Sequence, residues 1–159
     1  MTDAAELHEI VLPSVGQYVI ALRRTMEHVG PKQREILQEL LKIHNAAPGR
    51  VASAGKLAEG MRALHFDFPN YNTVNLHYGL LAKELAKHLP IPDRQAVEVG
   101  VFVDFVPPGY TSNTEYLWVL KQPVAEAIEV LGWVPRVSHL LYPHEALAKI
   151  DPAASVHGA

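Results

Sequence analysis

Four groupings in this chain carry residue types that could do chemistry, and each departs from the pattern its chemistry needs. Gly49 and Gly55-Lys56-Leu57 imitate a phosphate-binding loop. Five residues separate the glycines instead of four, and Leu57 stands where a Ser or Thr would hold magnesium. Ser53-x-x-Lys56 matches a serine acyl-enzyme signature, but the chain lacks the Lys-Thr-Gly that accompanies it. A serine capping a helix beside a solvated lysine explains the pair more simply. His77 and His88 share a helix face, yet eleven residues of helix hold them about 16 Å apart, too far for one ion. His77 and Glu84 are about 10 Å apart by the same geometry. His65 and Asp67 could meet across a turn, but no metal-ligand spacing such as H-E-x-x-H is present. The expectation is a chain with no catalytic residues, no metal site and no cofactor, and therefore not an enzyme.

The stretch Asn70 to His88 offers a different chemistry. Asn70 follows Phe68-Pro69 and suits a helix N-cap. Tyr71, Val74, Tyr78, Leu81, Ala82, Leu85 and Leu89 fall on one stripe at helical period. Asn72, Asn75, Gly79, Lys83 and Lys87 point away from it. Asparagine can pair bidentately with adenine, and lysine suits backbone phosphate, so the outward face has the composition of a recognition helix. A solvated surface helix has the same composition, and helix geometry alone assigns Tyr71, Tyr78 and Ala82 to the core.

The elements that would position this helix follow from caps and periods. Pro13 to His28 reads as a helix with Val15, Tyr18, Val19, Leu22 and Met26 on one side, and with Arg23 and Arg24 near its C-terminal end, where the helix dipole favours cations. Gly30-Pro31 ends it and starts the next helix, which runs to about Asn45 on Ile36, Leu37, Leu40, Leu41 and Ile43. Ser53 caps a short helix over 54–64. After Pro90-Ile-Pro92 the period becomes two. Val97, Val99, Val101, Val103 and Phe105 alternate with other residues and predict a half-buried strand. A loop through Thr111–Thr114 leads to a second strand, Glu115–Lys121, completing a hairpin. Pro123 opens a helix to Leu131, and Gly132 suits its C′ position. A short helix near Glu145–Ile150 precedes an Ala/Ser/Gly-rich end. The prediction is an α+β fold, mainly helical and winged helix-turn-helix-like, with a C-terminal β-hairpin and helix. Residues 13–134 form one domain, 1–12 a flexible lead-in, and 135–159 a partly disordered tail.

Composition narrows the class. With 48% hydrophobic residues the chain suits a globular, ordered protein. It has no cysteine, which excludes disulfides and thiolate chemistry and makes a cytoplasmic location the expectation. No apolar run reaches the roughly 18 residues needed to span a bilayer. The net charge of −3 is unevenly spread. Residues 20–90 hold ten Lys/Arg against six Asp/Glu, and residues 91–159 hold four against eight. A basic first half and an acidic second half suggest one binding face.

The segment Asn70-Tyr71-x-x-x-Asn75-Leu76-x-Tyr78-Gly79-x-Leu81-Ala82 resembles the N-Y-x-x-x-N-L-x-Y-G-x-L-A segment of non-catalytic domains in modification-dependent HNH restriction endonucleases. Some of these are sulfur-binding domains, which bind DNA whose backbone carries a phosphorothioate. Pro31-x-x-Arg34-x-x-Leu37 and Trp118-Val119-Leu120-Lys121 through Leu131-Gly132-Trp133 also look like that family, so the resemblance covers roughly residues 30–134. The chain has neither the length nor the His-Asn-His pattern for an attached nuclease. The resemblance therefore implies a reader of modified duplex DNA, with any nuclease on a separate subunit. It also implies that Arg34, Tyr78 and Ala82 contact the modified backbone, with Arg23 or Arg24 as alternatives to Arg34. Sulfur is larger, softer and less hydrated than oxygen, so an apolar cup of Tyr71, Tyr78 and Ala82 with a cation beside it would suit a phosphorothioate. The competing reading is a protein-interaction adaptor of a restriction or regulatory complex. It rests on Leu76 and Leu80, which face outward opposite the core stripe.

Overall fold

The computed structural model describes residues 10–96, 98–109 and 115–135. Its first helix, α1 (Val15–His28), starts at a capping box: Ser14 Oγ accepts from the Gln17 N–H, and the Gln17 side chain accepts from the Ser14 N–H. Helix α2 (Pro31–Ala46) follows a two-residue break, with its proline in the first turn as expected. A short turn leads to strand β1 (Val51–Ser53), and Ser53 Oγ then caps α3 (Ala54–Ala63) by accepting from the Lys56 N–H at 3.1 Å. Lys56 itself is exposed and pairs with Glu59, so the serine–lysine pair is a cap beside a solvated cation. The long helix α4 (Tyr71–Ala86) starts on Asn70, whose side chain accepts from the Asn72 N–H. It ends two residues short of His88. Strands β2 (Val103–Val106) and β3 (Leu117–Leu120) precede α5 (Gln122–Val130). Gly132 at φ 75° closes α5, with the Trp133 N–H bonded to Ile128 O and the Gly132 N–H to Glu129 O, a Schellman motif.

The fold is α+β and mostly helical, with the expected hairpin enlarged into a three-stranded antiparallel sheet of order β1-β3-β2. The middle strand is β3, in register Val103↔Leu120 to Val106↔Leu117 on one side and Val51↔Val119 to Ser53↔Leu117 on the other. The predicted strand over 97–105 is shorter than its alternation suggested. Glu98–Val101 coils into a 3₁₀ turn, and the strand begins only at Val103. Val101, Phe102 and Val103 are buried in succession, which an alternating strand cannot do, and β3 offers no partner residues before Val103. Phe105, predicted on the inward face, is exposed. The lead-in is tied down where it is described: the Val11 N–H and C=O both bond the Gln95 side chain, at 2.8 and 2.9 Å. The loop over 111–114 and the helix near 145–150 lie outside the described residues.

The core is formed where α1 packs on α5, α3 on α4, and the 3₁₀ turn on α4. Leu22, Leu37, Leu40, Leu41, Leu81 and Leu85 are fully buried within it. Polar ties cross it at fixed points. Tyr18 Oη donates to Val101 O at 2.9 Å. His44 on α2 joins α4 and β3, with Nδ1 2.8 Å from Tyr78 Oη and Nε2 3.0 Å from Trp118 O. Among the described residues no helix is long and apolar enough to cross a membrane.

Candidate nucleic-acid interface

Helix α4 presents three faces. Val74, Tyr78, Leu81 and Leu85 form the core face and are completely buried. A second face, stepping through Tyr71, Asn75, Gly79, Ala82 or Lys83, and Ala86 at intervals of three and four, lines a groove shared with the hairpin. The groove encloses about 1210 Å³. At 1.5 Å per residue, the wall from Tyr71 to Lys87 is about 24 Å long. The third face is open to solvent and carries Asn72, Leu76 and Leu80, with Leu76 71% exposed.

The opposite wall comes from β2 and β3. Phe105 and Trp118 are directly paired across the strands, and Phe105 meets Tyr116 edge-on at a 6.4 Å ring separation. Trp118 is the floor. One side of its indole packs on Tyr78 at 5.5 Å, and the residue also borders the groove. Sequence reasoning assigned none of these three aromatics, nor Glu98 and Glu115, to a site. The available signal was the alternation of Tyr116 and Trp118 in a strand, which places both on one face. What that face would meet depends on a contact with a helix more than thirty residues earlier in the chain.

The residues expected to act together are divided. Tyr78 is wholly buried, held by His44, by an edge-on contact with Phe102 at 4.8 Å and by Trp118, and it contributes nothing to an open cup. The reason is the His44 acceptor and the aromatic lid of the hairpin, both distant in sequence. Ala82 is 1% exposed at the base of the groove, while Tyr71, expected on the core stripe, is 53% exposed at its rim, about 60° around the helix axis from the buried Val74. Asn75, Lys83 and Lys87 line the groove, and Asn72 is exposed beside it. Arg34 is elsewhere. Its Nε donates to Met26 O, and its neighbour Gln33 donates to His77 Nδ1 at 2.8 Å. His77 and His88 lie about 180° around α4 from the groove. His88 sits against His28, with ring centres 5.2 Å apart, and His28 Nδ1 donates to Arg24 O. Arg24 and Arg34 thus belong to the far side of α4, and Arg23, exposed on α1, is not among the groove residues.

Charges of both signs border the groove. Lys83 and Lys87 stand on the helix wall, and Glu98 on the 3₁₀ turn and Glu115 just before β3 also line it. Lys87 bonds Glu84 at 2.8 Å, and that bond holds the Glu84 carboxyl below its usual range. On the far side, burial first and then the charges of His28 and Arg24 lower the His88 pKa. Burial lowers that of His77. Among the described residues no three His, Asp or Glu side chains are arranged to hold a metal ion.

No protein-family model, curated protein or solved structure matches the chain.

Proposed function

We propose that the chain is a non-catalytic module that binds duplex DNA and responds to modification of its backbone. The observation that carries this reading is the order α2–β1–α3–α4–β2–β3 together with the sheet order β1-β3-β2. We read this order as that of a winged helix-turn-helix, in which the second helix of the pair enters the major groove and the hairpin lies alongside as the wing. Helix α4 is then the recognition helix. Asn72 and Asn75 at its N-terminal end are placed for base edges, and Lys83 and Lys87 for phosphates. The groove beside this face supplies apolar surface for a soft, weakly hydrated substituent such as sulfur. That surface comes from Tyr71 and Gly79 on the helix wall, in place of the Tyr78 cup. A partner nuclease on a separate chain would complete a restriction function.

The test is a titration of labelled duplex with and without a phosphorothioate at low salt. Tighter binding to the modified duplex is the expected result. Equal binding removes the modification from the reading, and absent binding removes DNA. Tyr78→Ala is unsuitable as a site variant because it empties the core. Tyr71→Ala at the rim is the variant expected to reduce preference for the modified duplex.

A second reading, a protein-interaction adaptor, is favoured by Leu76 and Leu80, which are 71% and 38% exposed one turn apart on α4. Sedimentation of the purified chain separates the two readings. Self-association lost in Leu76→Ser, without DNA affinity, would favour the adaptor.

A further inference from the structure

The charge pattern of the groove conflicts with the idea that its whole length receives DNA backbone. The carboxylate of Glu98 would repel phosphate there. It is an acceptor, however, and a carboxylate accepts well from the exocyclic amine of a nucleobase. The rings of Phe105 and Tyr116 are exposed on the hairpin wall, with Trp118 buried beneath them, and exposed rings are the surface on which bases stack. Lysines stand on the opposite wall. Lys83 is exposed and forms no ion pair among the described residues. A ligand with an anionic group, a flat aromatic body and a donor edge matches this set of groups.

We propose that the α4–hairpin groove binds a nucleotide with an amino-bearing base. The phosphate meets Lys83 and Lys87, the base lies against the hairpin aromatics, and its amine donates to Glu98. Two further observations agree. The cavity is large enough for a nucleotide, since small-ligand sites occupy roughly 300–1,000 Å³. Glu98 also holds a left-handed backbone, φ 44°, which non-glycine residues adopt at a cost and which recurs at ligand sites. The nucleotide has two possible sources with one chemistry: a free mononucleotide, or a nucleotide everted from a duplex. The everted source rests on the DNA-binding reading above, and the free source does not.

The test uses the full chain and two kinds of probe. In calorimetric titrations, dCMP, dAMP and dGMP are expected to bind, and dTMP, which has no exocyclic amine, roughly tenfold or more weakly. Gly79→Leu should abolish the heat. A Cβ at Gly79 meets nothing within 4 Å, so a leucine there projects into the groove without a clash at its Cβ. Glu98→Gln should reduce the preference over dTMP. In the second arm, duplexes carrying 2-aminopurine are titrated. A fluorescence rise abolished by Gly79→Leu identifies the everted nucleotide, whereas mononucleotide binding without that rise identifies the free ligand. Both outcomes support the site. Duplex binding with neither mononucleotide heat nor a fluorescence rise overturns it while leaving the DNA-binding reading standing. Binding that ignores the amine or survives Gly79→Leu also overturns it. Mononucleotide binding without any duplex binding keeps the site and removes the DNA reading.

Discussion

The buried imidazole of His44 should make the fold acid-sensitive, and the size of the effect can be worked from its contacts. The residue is completely buried. Trp118 O, 3.0 Å from Nε2, can only accept, so Nε2 carries the proton. Nδ1 is then the acceptor for Tyr78 Oη–H at 2.8 Å. A second proton would place one charge in the core and remove that acceptor. Burial accordingly pulls the His44 pKa from 6.5 down to about 4. Above pH 6.5 both folded and unfolded chains carry a neutral imidazole, and nothing changes with pH. Between pH 6.5 and about 4 the unfolded chain binds one more proton, so stability falls as pH falls, by about 1.4 kcal/mol per pH unit. The loss between pH 7.5 and 4.5 is about 2.5 kcal/mol. Other groups titrate in this range, so the assay is urea denaturation of wild type and His44→Gln across it. A glutamine amide offers a donor and an acceptor but never takes the charge. His44→Gln is expected to be less stable at pH 7.5, and the gap should close by about 2.5 kcal/mol on reaching pH 4.5. Parallel curves with a constant gap would refute the reasoning, because His44 would then titrate alike folded and unfolded.

Further predictions concern single contacts and the DNA-facing side. Tyr78→Phe removes the donor to His44 Nδ1. It should cost about 1–3 kcal/mol in urea denaturation and flatten the acid dependence, since the orphaned nitrogen is easier to protonate. Gly132→Ala, at φ 75°, should lower stability by about 1 kcal/mol, read as a fall in Tm, by straining the cap of α5. Gly79→Ala lies mid-helix with open space at its Cβ. It should raise Tm through a gain of about 0.5–1 kcal/mol in helix propensity. If α4 binds DNA, Lys83→Ala should weaken all duplexes alike and reduce the slope of log affinity against log salt by about one.

Local chemistry was written into the sequence and came through. Ser53 and Asn70 as caps, Pro31 in a first turn, Gly132 beyond a helix end, and the buried line Val74–Tyr78–Leu81–Leu85 all depend on residues within a turn or two of each other. The capping box at Ser14 and Gln17 was equally local and could have been read. Strand β1 could not. Three residues carry no usable period, and they become a strand only because β3, more than sixty residues later, lies beside them. The alternating valines before Phe105 misled for the opposite reason. Their period suits a strand, but β3 ends before it could pair with them, and the core takes Val101, Phe102 and Val103 in succession. The α4 stripe left Tyr71, Tyr78 and Ala82 undecided because helix period fixes a direction around the axis and says nothing of what stands there. The sequence alone determined which faces α4 has. Only tertiary packing decided that His44 and Trp118 seal Tyr78 inside, that Tyr71 stands at a rim, and that the open apolar wall belongs to the hairpin, because those contacts join residues the chain keeps far apart.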